Sequence, residues 1–266
     1  MKYSFLSFSC PELSLDELLA TAREHGYDGI EPRLDRGHRH GVETAATPAQ
    51  RMEIKNKAKA AGISFSCLAT SCVFADPQQT GKNIDAALKA VELAGDIGAP
   101  CVRVFGGRIP KEISREKAVE IVAEALASIA VYAEKRGVTL CLETHDHWCD
   151  PGHVAAVLSR VDHPAAAANW DVMHPVRVAH VTMDQAFAAL KPWIRHVHVH
   201  DGVTKEGQLS LVPIGTGEID HKRAIALLKT IAYDGFISGE WSGWSDKYDV
   251  YLPRELAALK KYESGV

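Results

Sequence analysis

Short apolar runs alternate with amphipathic stretches along the whole chain of 266 residues. The runs favour strands, whereas stretches whose apolar residues recur every three or four positions favour helices. The predicted strands are residues 3–9, 29–31, 63–69, 101–105, 139–143, 166–171, 196–200 and 236–241. The predicted helices are residues 14–25, a segment that starts at Thr47-Pro48, and residues 83–97, 115–136, 152–161, 183–190, 221–231 and 253–262.

Eight strands that alternate with eight helices give about 33 residues per unit, the size of one βα unit. Strict alternation implies parallel strands joined by helical crossovers, and eight such units close most simply into a (β/α)8 TIM barrel of the α/β class. A doubly wound open sheet would need a longer glycine-rich phosphate turn than Gly106-Gly107 or Gly215-Thr216-Gly217. We therefore expect residues 1–266 to form a single TIM-barrel domain. The predicted helices end at glycines that suit a left-handed turn, namely Gly26, Gly62, Gly98, Gly137 and Gly235.

Composition narrows the classes of function. The net charge of −4 argues against a nucleic-acid partner, since such proteins usually carry a basic excess. The six cysteines form no Cys-x-x-Cys pair, and several lie in apolar runs, where small buried thiols are expected rather than disulfides. Without a secretory signal or an apolar run of about 18 residues, no membrane partner is expected, and the prediction is a cytoplasmic protein.

Candidate chemistry lies where four successive strands end. The fifth, sixth and eighth predicted strands deliver Glu143, Asp171 and Glu240, and the seventh carries histidines at positions 196, 198 and 200. Side chains alternate along a strand, so these three histidines share one face, the face toward the barrel axis. A hydrogen-bonded polar plug would explain any one of them. Three carboxylates at the same rim, however, would repel each other unless a cation lay between them, which favours a metal site.

Three carboxylates and one imidazole form an oxygen-rich ligand set, which suits Mn²⁺ or Mg²⁺ and also admits Co²⁺, Fe²⁺ or Zn²⁺. His145, His174 and His200 lie nearby in the sequence and are expected to support the ligands or to contact substrate. Arg33 and Arg103 are candidate substrate contacts, with a structural salt bridge as the equal alternative for each, and the same holds for Glu31. The segment 36–40 is either a solvated connection or a lid over the barrel mouth.

These residues stand in motifs that resemble the xylose-isomerase-like TIM-barrel superfamily, in its sugar isomerase/epimerase branch. The motifs are residues 26–31, 142–145, 170–174, 196–201, 212–220 and 235–241, and the resemblance covers nearly the whole chain. It implies one divalent metal ion, often Mn²⁺, held by Glu143, Asp171, His198 and Glu240. It also implies that Glu143 and Glu240 act as acid and base from opposite faces of the substrate, and that His174 contacts substrate hydroxyls.

Two departures from the family leave the substrate open. Some ketose epimerases carry an arginine six residues after the ligand histidine, where this chain has Thr204, and another branch carries a lysine where this chain has His200. The expected partner is a small carbohydrate-like molecule, and a homo-oligomer is possible because helix layers of such barrels often form dimers or tetramers.

Chemistry supports the implied reaction. Removal of a proton next to a carbonyl creates an enediolate, which a metal stabilises, and a carboxylate on each face lets the proton leave and return. The first hypothesis is an isomerase or epimerase of a small keto sugar, polyol ketone or hydroxy-keto acid. The alternative is a lyase of the same superfamily, such as an inosose-type dehydratase or a β-eliminating enzyme on oxidised sugars.

Two other classes fit less well. A metal phosphodiesterase like the apurinic-site endonucleases needs further histidine ligands after the third and fourth strands, where this chain has Thr70 and Gly106. A metal-free binding barrel leaves the carboxylate cluster unexplained.

Overall fold

A computed structural model of the chain describes residues 1–242 and 246–265. The strands are β1 (Lys2–Leu6), β2 (Gly29–Glu31), β3 (Ser64–Phe65), β4 (Leu68–Val73), β5 (Cys101–Phe105), β6 (Thr139–Glu143), β7 (Ala166–Asp171), β8 (Ile194–Val199), β9 (Asp201–Lys205), β10 (Gln208–Val212) and β11 (Phe236–Gly239). The helices are α1 (Leu15–His25), α2 (Pro48–Ala61), α3 (Pro77–Ile97), α4 (Arg115–Lys135), α5 (Pro151–Val161), α6 (Met173–Val178), α7 (Met183–Leu190), α8 (His221–Thr230) and α9 (Tyr248–Ser264). Two 3-10 helical turns cover Ser7–Ser9 and Asp146–Trp148.

Nine parallel strands form the barrel sheet in the order β3-β2-β1-β11-β8-β7-β6-β5-β4. The two ends of this order, β3 and β4, are consecutive parts of one strand position, because β3 pairs with β2 and β4 pairs with β5. The amide of Ala69 donates to the carbonyl of Pro32 at 3.0 Å, which joins β4 to the chain that leaves β2. The sheet therefore closes around eight strand positions, and the predicted TIM-barrel fold is confirmed.

Local chemistry fixes most helix ends. Ser14 and Thr47 accept hydrogen bonds from the amides three residues later and form capping boxes with Glu17 and Gln50. Gly26 ends α1 in the left-handed conformation, as Gly62 and Gly98 do for the next helices. Gly235 was expected to do the same but has no positive φ. Instead, the turn before β11 places Ala232 at φ +50°.

Several predicted boundaries are wrong. The first strand ends at Leu6 rather than at residue 9, because the chain turns there into a 3-10 helix. Helix α3 begins at Pro77 instead of residue 83, with Asp76 as its cap. Helix α9 begins at Tyr248 and continues through Pro253, which was taken as its start. Pro253 lies near the amino end of the helix, so its missing N–H removes a single hydrogen bond of the first turns.

The antiparallel hairpin β9–β10 follows β8 directly and was not predicted. Its turn residues Glu206 and Gly207 both have positive φ, as a tight two-residue hairpin turn requires. The Asp201 carboxylate accepts hydrogen bonds from the amides of Gly215 and Gly217 at 2.9 and 3.0 Å, and so holds the segment that returns from the hairpin. Part of the motif at 212–220 therefore has a structural role, because its backbone amides bind the Asp201 carboxylate.

The six cysteines are unpaired and buried, as expected for small apolar side chains. Three of them, Cys67, Cys101 and Cys141, pack with Ala167 as a separate small cluster. Within residues 1–242 and 246–265, no helix is both long and apolar enough to cross a bilayer.

Gly106 lies beside the end of β5, where the buried indole of Trp148 covers it and donates to the carbonyl of Gly107 at 2.8 Å. A Cβ at Gly106 would overlap the indole ring. We expect Gly106→Ala to lower the free energy of unfolding by about 1–3 kcal/mol, measured by urea denaturation.

Gly81 provides the matched control, because it lies exposed in α3 and a Cβ there meets nothing within 4 Å. Gly81→Ala should raise the free energy of unfolding by about 0.5–1 kcal/mol, because alanine loses less backbone entropy in a helix. Equal stability of the two variants would contradict the packing assigned to Gly106.

Candidate functional site

Strand register brings four chemically active side chains to one end of the barrel. Glu143 and Asp171 are the last residues of β6 and β7, and Asp171 lies directly opposite His198 of β8. Glu240 follows β11, and its amide donates to the carbonyl of Val199 at 3.0 Å. One ligand atom from each of Glu143, Asp171, His198 and Glu240 lies within 4.8 Å of the other three. These four residues are called the carboxylate cluster below.

The imidazole of His198 is the centre of this cluster. Its Nε2 lies 3.0 and 3.2 Å from the two carboxylate oxygens of Glu31, and its Nδ1 lies 3.2 Å from Glu143 and 3.1 Å from Glu240. The side-chain amide of Asn169 is 3.0 Å from the same Nδ1. Glu31 is fully buried, so its carboxylate holds a proton on Nε2 and turns Nδ1 toward the other two acids.

The electrostatics favour positive charge at this point. Burial opposes the charged form of His198, but Glu31, Glu240 and Glu143 together raise the pKa of the imidazole well above its ordinary value. Burial likewise opposes the charged form of Glu240, yet His198 and His200 lower the pKa of this carboxyl to about 2. The pKa of Asp171 is also lowered, by His200 and His174 against the effect of burial. The neighbouring imidazoles thus favour the ionised forms of Glu240 and Asp171.

The residues of the carboxylate cluster fit a divalent cation. Donor atoms about 2.1 Å from one ion lie at most about 4.2 Å apart, close to the spacing in the cluster. Asp171 Oδ2 and Glu143 Oε2 are buried and accept no hydrogen bond of good geometry, although His200 Nε2 and Arg103 Nε lie 2.8 and 3.1 Å away. A cation would compete with the proton on His198 Nδ1 and satisfy both oxygens.

Three histidines form a row beside Asp171. The rings of His145 and His174 are 4.6 Å apart between centroids, those of His174 and His200 are 5.2 Å apart, and both pairs meet edge to face. His200 Nε2 lies 2.8 Å and His174 Nε2 3.8 Å from Asp171 Oδ2. The structure thus places all three predicted histidines next to the carboxylate cluster, on one side of it.

Two arginines lie near the carboxylate cluster, Arg33 just after β2 and Arg103 in the middle of β5. Arg103 Nε is 3.1 Å from Glu143 Oε2, and its guanidinium carbon lies 4.0 Å from the centre of the Phe105 ring. Arg33 donates to the carbonyls of Leu34 and Ala69 at 2.8 and 2.9 Å. Both arginines line a cavity of about 340 Å³ that also contacts Glu143, Glu240 and His145.

Glu31 shows where interpretation of the sequence was incomplete. Of the two alternatives for Glu31, a substrate contact or a structural salt bridge, the structure shows ion pairs, with His196 at 2.8 Å and His198 at 3.0 Å, whereas the sequence did not identify these partners. The signal was present, since three inward histidines on one strand need an acceptor in the interior. The segment 36–40 is mixed: His40 is buried and accepts from the amide of Val42, whereas Arg36 is exposed and lines the cavity.

Comparison with known proteins places this geometry in context. A family model described as a xylose isomerase-like TIM barrel matches residues 19–262. An L-ribulose 3-epimerase of Methylomonas sp. (strain DH-1) is 28% identical over 232 residues, which cover 84% of this chain and 76% of that protein.

Solved structures agree in fold. The crystal structure of a probable 3-DHS dehydratase from Bacillus anthracis has a TM-score of 0.81 and 21% identity, covering 98% of this chain and 99% of that one. A D-psicose 3-epimerase structure has a TM-score of 0.81 and 16% identity over the whole of both chains. The family model matches residues 19–262, the barrel is closed, and the acids lie together at one end of its sheet. The chain therefore belongs to the xylose isomerase-like TIM-barrel family.

Proposed function

We propose that the protein is a divalent-metal-dependent isomerase or epimerase of a small keto sugar, polyol ketone or hydroxy-keto acid. The observation that carries the proposal is the convergence of Glu143, Asp171, His198 and Glu240 at the mouth of the barrel. The similarity to an L-ribulose 3-epimerase, at 28% identity, supports a carbohydrate substrate. The family match and the closed barrel establish the fold, and the positions of these four side chains support the proposed ligand set.

The four residues of the carboxylate cluster would hold one divalent ion, with Mn²⁺ as the first choice because three of the donors are carboxylates. Bound there, the ion would act as a Lewis acid that stabilises negative charge on substrate oxygens. All four donors are more than four-fifths buried, so water is largely excluded from the point where that charge develops.

In this mechanism Glu143 and Glu240 move protons at the carbon beside the substrate carbonyl. They come from β6 and from the end of β11, on different sides of the barrel mouth, and both line the cavity. One carboxylate removes the proton and the other returns it. Arg103 Nε lies 3.1 Å from Glu143 Oε2, so its positive charge faces that carboxylate. The row of His145, His174 and His200 provides donors for the hydroxyl groups of a polyol.

The metal assignment predicts that purified protein carries about one divalent ion per chain and that Asp171→Ala removes it. Asp171 is fully buried and supplies an oxygen ligand that no neighbour replaces. Inductively coupled plasma mass spectrometry measures the number of ions per chain, and the thermal shift on addition of Mn²⁺ measures binding. Asp184→Ala is the control, since Asp184 lies exposed on α7 and pairs with Arg223. Metal-free protein that shows no thermal shift with Mn²⁺ would remove the site.

The acid–base assignment predicts loss of proton exchange. Glu143→Gln and Glu240→Gln should fold but lose at least about 100-fold of the exchange of a substrate α-proton with deuterated water, because general acid–base catalysis contributes on that order. The readout is deuterium incorporation by mass spectrometry over a panel of keto sugars and inososes. Unchanged exchange in both variants would exclude these residues as acid and base. A product that has lost the mass of water would show the lyase alternative.

Glu31 is the proposed positioning residue for His198, because it faces the imidazole nitrogen opposite the carboxylate cluster. We expect Glu31→Gln to weaken Mn²⁺ binding about 10- to 100-fold, as removal of such a supporting carboxylate does in metalloproteins. A competition titration against a chelating dye measures the dissociation constant without any need for substrate.

Glu255 is the matched control for Glu31, since it is equally buried but accepts from the amide of Ile214, away from the cluster. Glu255→Gln should leave the dissociation constant of Mn²⁺ unchanged even where stability falls. If both variants bind Mn²⁺ like the parent protein, Glu31 has a structural role only.

A further inference from the structure

The lining of the cavity beside the carboxylate cluster carries charges of both signs. Three arginines line it, Arg33, Arg36 and Arg103, in a volume of about 340 Å³. The acids of its lining are Glu143, Glu240 and Asp146, and the last of these pairs with His145 at 3.1 Å. The partners of the three guanidinium groups therefore decide what the cavity would accept.

Arg103 has a carboxylate partner, Glu143. Its Nε forms an ion pair with Glu143, one terminal nitrogen donates to the carbonyl of Thr70 at 2.8 Å, and Phe105 covers its face. With a divalent ion in the carboxylate cluster, the three acids of that cluster would be balanced by the ion together with Arg103. No net negative charge of the cluster is left for another cation.

Arg33 has no such partner. Its side chain is 3% exposed, and its terminal nitrogens donate to two carbonyls and to the hydroxyl of Ser71, all of them neutral acceptors. Its Nε is buried without a hydrogen bond, and within residues 1–242 and 246–265 no carboxylate forms an ion pair with it. A buried, unpaired charge costs several kcal/mol, so an anion that enters the cavity would relieve that cost.

Arg36 is the second cation without a partner. It is exposed at the rim of the same cavity and forms no ion pair in the described part of the chain. It lies in the segment that follows β2, three residues after Arg33, so both cations come from one wall of the barrel mouth. Phe8 packs near Arg33, with 5.9 Å between the guanidinium carbon and the ring centre, and limits the room on that side.

From these contacts we propose that the substrate carries a carboxylate, which Arg33 and Arg36 bind while its carbonyl and hydroxyl end faces the carboxylate cluster. This rests on the proposed function, since it names the substrate class of the same site: a polyhydroxy keto acid rather than a neutral sugar. Guanidinium groups pair with carboxylates through charge-assisted hydrogen bonds, which suits an Nε–H donor that is already oriented. Three of the five N–H donors of Arg33 are engaged, which leaves the Nε–H and one terminal N–H for the two oxygens of a carboxylate. Phosphate shares this chemistry, and the test below separates the two groups.

The test compares three probes of one carbon skeleton on the Mn²⁺-loaded protein: D-gluconate, sorbitol and sorbitol 6-phosphate. Isothermal titration calorimetry gives the dissociation constants. We expect gluconate to bind at least about tenfold more tightly than sorbitol, as one or two charge-assisted hydrogen bonds provide. Arg36→Gln should remove most of this preference and leave the affinity for sorbitol unchanged. Arg33→Gln should likewise reduce the preference for gluconate over sorbitol.

Arg39→Gln is the matched control. Arg39 is exposed in the same segment, donates to the carbonyl of Glu12 at 2.7 Å and does not line the cavity. The Arg39→Gln variant should retain the full preference for gluconate over sorbitol. Because Arg36 is exposed, its variant is expected to fold even where Arg33→Gln does not.

Three outcomes would overturn the inference. Gluconate and sorbitol could bind equally, the preference for gluconate could survive Arg36→Gln because the acid binds the metal instead, or sorbitol 6-phosphate could bind more tightly than gluconate. In each case Mn²⁺ binding and α-proton exchange with neutral keto sugars would leave the proposed function standing. Absence of Mn²⁺ binding would refute the proposed function itself, before any probe is compared.

Discussion

The rest of this structure depends on four carboxylates in the interior of the barrel and on the side chains that pair with them. The four are Glu31, Glu143, Asp171 and Glu240. Glu31, Glu143 and Asp171 are almost completely buried, and an uncompensated charge at such a position costs several kcal/mol. Each has its own partner: His196 and His198 for Glu31, Arg103 for Glu143, and His200 for Asp171. The layer that branched apolar residues usually fill is here an ionic network. Such a network is stable only if register and side-chain direction are held closely.

The scaffold provides that control through backbone hydrogen bonds. The hydroxyl of Thr144 donates to the carbonyl of Asp171 and accepts from the amide of the same residue, at 3.1 and 3.0 Å, which locks the ends of β6 and β7 together. Asp171 Oδ1 accepts from the amides of Met173 and His174, so its second oxygen is directed toward the cluster. One carboxyl thus serves both the backbone turn and the site.

The two sides of the mouth differ in chemistry. The histidine row follows the ends of β6, β7 and β8, whereas Arg33 lies just after β2 and Arg103 lies in β5. Imidazole N–H groups donate to hydroxyl oxygens, and guanidinium groups suit anions. A substrate that lies across the carboxylate cluster would therefore meet imidazoles near the ends of β7 and β8 and guanidinium groups near the end of β2.

The sequence by itself determined the fold and the members of the carboxylate cluster. Strand and helix patterns that alternate, with glycines at the ends of helices, predicted the barrel. Residues at the carboxyl ends of parallel strands must meet at one rim of such a barrel. Glu143, Asp171 and Glu240 could thus be grouped with the histidines of the seventh predicted strand before any distance was known, and the resemblance to the family singled out His198 among them.

Tertiary structure alone decided the rest. Several features depend on contacts between segments far apart in the chain. Glu31 faces His198, and the third strand is split between β3 and β4. Arg103 has an acid partner, while Arg33 forms no ion pair within the described residues. Periodicity tells which face of a strand a residue occupies, whereas the partner of a charge depends on barrel register and packing, which no local pattern contains.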